Sequence, residues 1–177
     1  MECQSPGVSS RHIFWLAREY TYVQQWDDAL KTADRYLACD DAWIVERAWA
    51  NVFKANAYAQ LEKPEKALSC YMEACKTTPG QREPWLALAG FYSTNELWPQ
   101  AYGAICNALA ITGRPEHYLT REDAWNHEPH DLAGLFSFKL NARERFTKHV
   151  EDALQIAPHD EALRAKAQRF GIKLPGS

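Results

Sequence analysis

A pair of small residues, twelve positions apart, recurs along this chain and limits it to a helical-repeat architecture: Ala17 with Ala29, Ala55 with Ala67, Ala89 with Ala101. Larger side chains keep register around each pair. The clearest copy reads Trp85, Leu88, Ala89, Tyr92, then Ala101, Ile105 and Ala108. The copy before it has Ala55, Tyr58, Ala67, Tyr71 and Ala74, ending at Pro79, and the first has Leu16, Ala17, Tyr20, Ala29, Ala33 and Tyr36. The second and third copies are offset by 34 residues, and the first junction, around Cys39 to Trp43, is longer by four. A fourth, degraded copy keeps Gly134, Val150, Ala153 and Pro158 but puts Phe146 where the second small residue belongs. Small residues facing each other on two antiparallel helices let the backbones approach, while their large neighbours fill the flanks. The aromatic three positions after the first small residue shares its helical face. Each pair then leaves an apolar side that the next pair covers.

Punctuation agrees with helices. Pro64 and Pro99 fall in the first turns of second helices and Pro84 opens the helix of Trp85, positions where the missing N–H costs little. Pro79 and Pro158 follow second helices and stop them. The pattern predicts helices near 10–23, 26–38, 43–61, 64–77, 82–95, 98–111, 130–140, 142–156 and 160–170. No segment alternates as a half-buried strand does. Between Ile111 and His130 an irregular stretch with two Pro and one Gly interrupts the period; a loop this long in a compact array is commonly functional or specifically packed.

Bulk properties exclude several classes. The chain has 177 residues, 20 basic against 23 acidic, so no overall charge draws it to nucleic acid or an anionic membrane. No run approaches the length of a membrane-spanning helix, and residues 1–10 carry neither the basic nor the apolar part of a signal peptide. Five cysteines without paired spacing are expected to be free thiols in a reducing compartment, which places the chain in the cytoplasm.

The spacing W-x2-L-A-x2-Y followed by A-x3-I-x2-A resembles the tetratricopeptide repeat (TPR), with Ala89 where Gly is more usual. The resemblance implies an all-α, TPR-like right-handed superhelix of antiparallel helix pairs with a C-terminal capping helix. The expected organisation is a flexible N-terminus over 1–9 and a single domain over 10–171. Its repeats lie at about 10–41, 48–79, 82–112 and 130–158, with an irregular insertion at 112–130 and a cap at 160–170. A more particular resemblance is to the TPR tail of bacterial family 2 glycosyltransferases. It rests on R-H-I-F-W-L-A-R-E (11–19), W-D-D-A-L (26–30), W-I-V-E-R-A (43–48), R-E-P-W-L-A-L-A (82–89), W-P-Q-A-Y (98–102), D-A-W (123–125), P-H-D-L (129–132) and A-P-H-D-E-A-L (157–163). It implies a scaffold that works beside a glycosyltransferase domain or its acceptor in glycan assembly. The catalytic α/β sheet and its metal-holding Asp-x-Asp motif have no counterpart here, since Asp27–Asp28 and Asp40–Asp41 are adjacent pairs at helix boundaries. No catalytic residue, metal or cofactor is carried over.

Such arrays bind with the inner face of their first helices. The residues adjoining the packing positions there are Arg11, Phe14, Arg18 and Tyr22, then Trp49, Val52 and Asn56, then Glu83, Leu86 and Gly90. Aromatics with Arg and Asn suit a peptide or protein partner held by apolar contact and directed hydrogen bonds. A free-standing adaptor would use the same groove, and end-to-end stacking of two short arrays would give a dimer. His117, His127 and His130, with Glu128 and Asp131, invite comparison with a metal-dependent enzyme. H-E-P-H lacks the two-histidine helical spacing of metalloproteases, however, and Pro129 is expected to prevent a regular helix through it. The alternative is that Tyr118 and Trp125 anchor the loop while its histidines face water.

Overall fold

The computed structural model describes residues 9–174, and the described elements are all helical. The flexible segment expected over residues 1–9 lies, apart from Ser9, outside them. The helices are α1 (Ser10–Tyr22), α2 (Trp26–Leu37), α3 (Ile44–Gln60), α4 (Pro64–Thr77), α5 (Arg82–Thr94), α6 (Trp98–Ala110), α7 (Glu128–Lys139), α8 (Arg143–Ile156) and α9 (Glu161–Phe170). Backbone contacts divide the chain into two compact units, Met1–Pro79 and Gly80–Ser177. In the first unit α1 packs on α2 and α3, α2 on α3, and α3 on α4. In the second, α5 packs on α6, α6 on α7, α7 on α8 and α8 on α9.

The small-residue pairs sit where the packing argument requires. Ala17, Ala29, Ala55, Ala67, Ala89 and Ala101 are all buried. The degraded fourth copy keeps the arrangement with altered sizes. A Cβ added to Gly134 of α7 would come within 3.7 to 3.9 Å of His149, Phe146 and Val150 of α8. A small residue on α7 thus faces the large Phe146 on α8.

All four helix pairs turn through the same backbone device. In the first, Gln24 N–H donates to Thr21 O and Gln25 N–H to Tyr20 O; Glu62 and Lys63, Glu96 and Leu97, and Asn141 and Ala142 repeat the pattern. This is the Schellman arrangement, in which the residue after the helix cap is left-handed. Gln24, Glu62, Glu96 and Asn141 accordingly have φ of 60, 55, 56 and 55°. None is glycine, the residue that adopts this conformation without steric cost.

Both breaks in the period are closed by an arginine from the start of a first helix. Arg47 of α3 donates to the carbonyls of Leu37, Cys39 and Ala42, locking the long junction after α2. Arg82 of α5 donates twice to Ile111 O, at 2.9 and 2.7 Å, and to Ala124 O at 3.1 Å. It thereby satisfies the end of α6 and holds the irregular segment, which contains a short 3-10 turn (Glu122–Ala124). Helix α9 is capped at both ends, with the Asp160 carboxylate accepting from Leu163 N–H and Gly171 left-handed at φ 66°. It covers Phe146, Val150, Ala153 and Leu154 with Leu163 and Ala167.

Two expectations are corrected. Helix α7 begins at Glu128 and runs through Pro129, which occupies the first turn where no intrahelical N–H bond is lost. Cys39 is disulfide-bonded rather than free, whereas Cys70, Cys75 and Cys106 are free thiols. Among the described residues no helix is long and apolar enough to cross a membrane.

Candidate functional site

Helix α1 of the first unit presents Arg11, Trp15, Arg18 and Tyr22 at spacings of four, three and four residues, which is one helical face. The adjoining face is core. Ile13, Phe14 and Ala17 are buried, and the Phe14 ring lies 5.4 Å from Tyr36 and 5.5 Å from Phe53. On the outward stripe the Arg18 guanidinium lies 4.1 Å from the Trp15 ring centre and 5.4 Å from that of Tyr22. Glu19 holds it from the side at 2.9 Å. Tyr22 is 67% exposed. Arg11 reaches toward solvent while its Nε stays 3.7 Å from the buried Glu46 carboxylate, which in turn accepts the Tyr36 hydroxyl at 2.6 Å. On this stripe Arg18 is thus sandwiched with Trp15 and Tyr22 rather than standing as an isolated surface charge.

The remaining groove residues are more committed to the fold. Val52 is buried, and Asn56 accepts the Tyr71 hydroxyl at 2.6 Å. Trp49 is half-buried against Phe53, with its indole N–H buried and lacking an acceptor. In the second unit Glu83 is 3% exposed and accepts the Arg121 N–H at 3.0 Å, so it ties down the irregular segment. Leu86 is half-buried and Gly90 exposed. Trp15, which completes the α1 stripe, was missed from sequence because the repeat pattern points to positions beside Ala17. Its signal was the i, i+3 spacing to Arg18.

The loop histidines disperse. His117 contacts Gln81 Nε2 at 3.1 Å and the Thr120 hydroxyl at 3.1 Å. His127 faces Asp160 at 3.9 Å. Trp125 anchors the segment by stacking on Arg82 at 4.2 Å, while Tyr118 is about half exposed. His130 meets α8 instead: its Nδ1 lies 3.4 Å from His149 Nδ1 and 3.7 Å from Asp152 Oδ2. His149 Nε2 is 3.1 Å from the Tyr102 hydroxyl of α6. Burial lowers the pKa of both imidazoles, and for His149 the neighbouring His130 adds to the effect. His149 and Asp152 are one turn apart on α8, and sequence reading could not pair them with a residue nineteen positions upstream.

No family model matches the chain, and no curated protein matches it. Solved structures do. The chain is similar to TTC0263, a thermophilic TPR protein of Thermus thermophilus, at 19% identity over 93% of this chain and 82% of that one, with a TM-score of 0.62. It is also similar to MamA protein, at 12% identity over 92% and 87% of the two chains, with a TM-score of 0.64. The helix pairs, their buried small residues and these likenesses together establish the all-α TPR fold.

Proposed function

We propose that this chain is a non-catalytic, protein-binding TPR scaffold whose first unit offers the outward stripe of α1 to a peptide or protein partner. The observation that carries this reading is the stacked set Trp15, Arg18 and Tyr22. Tyr, Trp and Arg are the residue types that dominate binding energy when a partner covers them. Side chains already stacked on one another have less entropy to lose on binding. The chemistry selects a segment with one apolar side chain to lie against the rings and a carboxylate to meet Arg18 or Arg11.

The resemblance of segments 11–19, 82–89, 123–125 and 157–163 to glycosyltransferase tails supports a role beside a glycosyltransferase, with its catalytic domain or its acceptor as partner. Work on glycan assembly in a bacterium follows from the same resemblance. His117, His127 and His130 each meet different partners, which favours the scaffold reading over an enzyme built on the loop histidines together.

A random peptide display library selected on the immobilised chain tests the stripe. Enriched peptides should pair an aromatic or aliphatic anchor with Asp or Glu. Their affinity should fall at least about tenfold for the Arg18→Ala/Tyr22→Ala double variant, as expected for removal of an interface anchor. The melting temperature should hold, because Tyr22 is largely exposed. Peptides that bind the double variant as well as the parent would sink the assignment. Hydrolysis or transfer from a sugar nucleotide by the purified chain would sink the non-catalytic part.

A further inference from the structure

The packing of α7 on α8 brings together three metal-ligating side chains that neither the repeat nor the scaffold reading uses. Gly134 of α7 lies against α8, and one turn before it His130 faces His149 and Asp152. One donor atom from each of the three lies within 4.8 Å of the others. Ligands about 2.1 Å from a tetrahedral zinc ion are separated by roughly 3.4 Å. The His130–His149 and His130–Asp152 separations of 3.4 and 3.7 Å are edges of that size. As a direct hydrogen bond, 3.4 Å between two ring nitrogens is long.

From this geometry we infer that His130 Nδ1, His149 Nδ1 and an Asp152 carboxylate oxygen form a site for one divalent transition-metal ion of the zinc class, clamping α7 to α8. Nitrogen and carboxylate donors in this ratio suit such an ion, and water completes the fourth position. Tyr102 supplies the outer support. With His149 coordinating through Nδ1, its Nε2–H donates to the Tyr102 oxygen and fixes the ring, as second-shell groups do around bound metals. Lys148, 3.5 Å from Asp152 Oδ2 and 73% exposed, swings into solvent when the carboxylate turns to the ion.

The test is titration of the chelator-stripped full chain with Zn2+ by calorimetry and with Co2+ by visible absorption. One equivalent of Zn2+ should bind, and bound Co2+ should show the strong bands of four-coordination. Asp152→Asn and His130→Gln should each weaken uptake by at least about tenfold, the scale of effect expected even for outer-shell changes. His117→Gln and His127→Gln should leave it intact. Histidine-selective 15N spectra of the unaltered chain make the result independent of variant folding. Of six imidazoles, two should show metal-bound Nδ1 on zinc addition. No zinc uptake, uptake unchanged in the Asp152 and His130 variants, or perturbation of other histidines would overturn the assignment.

Discussion

The Arg82 guanidinium lies 4.2 Å from the centre of the Trp125 indole and, on its edge, donates to the carbonyls of Ile111 and Ala124. One half-buried side chain therefore closes a detour of the chain between α6 and α7. Hydrogen bonds from a charged donor contribute about 1.5–3 kcal/mol, and those here share one group, so they do not add. Arg82→Ala is expected to cost about 2–4 kcal/mol in urea unfolding. Residues 111–127 should at the same time lose protection from amide exchange. Arg82→Lys should recover little, since an ammonium cannot reach both carbonyls and stack on the ring. Unaltered exchange in the segment of the Ala variant would refute the clamp.

The four left-handed turn residues give a second expectation. Gln24, Glu62, Glu96 and Asn141 occupy equivalent positions, but only Asn tolerates that conformation at low cost. Glu62→Gly and Glu96→Gly should each raise stability by about 0.5–1 kcal/mol, after the entropy gained by the unfolded chain is deducted. Asn141→Gly should change it by no more than a few tenths of a kcal/mol. Thermal melts of the three variants check the ranking, and an equal response at all three positions would contradict it.

These turns also show where sequence reading stops. The buried small pairs, the proline stops and the aromatic positions announce themselves by spacing, and the helix ends follow within a few residues. Left-handed Gln and Glu do not, because no local preference marks them and the Schellman bonds impose the conformation. Pro129 misled for a related reason, since whether proline breaks or opens a helix depends on which turn it occupies. On α1 the outward stripe was half legible. Arg11, Arg18 and Tyr22 emerge from the repeat register, whereas Phe14 belongs to the core and Trp15 joins the stripe through its helical spacing to Arg18, which the repeat register does not mark. The His130–His149–Asp152 group depends wholly on α7 meeting α8, a tertiary fact with no local signature.

Gly134 offers a third check. It lies inside α7, where glycine is less favourable than alanine by about 0.8–1.0 kcal/mol. A methyl there would meet His149, Phe146 and Val150 at 3.7 to 3.9 Å, an ordinary contact distance. Gly134→Ala should therefore stabilise the chain by about 0.5–1 kcal/mol. Gly134→Leu should destabilise it by about 1–3 kcal/mol, as overpacking does. A destabilising alanine would mean that the helices approach more closely than these distances allow.

Alkaline pH should expose the protonated groups of the first unit's core. Burial pushes the Cys75 thiol up to about 12 and the Tyr71 phenol up to about 12, from ordinary values of 9.0 and 10.0. Above about pH 9 the unfolded chain sheds protons that the native chain retains, so the native state binds more and stability falls as pH rises. Each group's decline approaches about 1.4 kcal/mol per pH unit between its two pKa values. Below its unfolded value the Cys75 contribution is fully present, and neutral samples should show this thiol inert to alkylation unless the chain opens. Cys75→Ala should lower stability near neutrality, because it removes buried volume, yet flatten the loss above about pH 9. Urea unfolding of parent and variant at about pH 8 and about pH 10.5 measures the difference. Equal losses in the two proteins would show that Cys75 ionises in the native state as readily as in the unfolded chain.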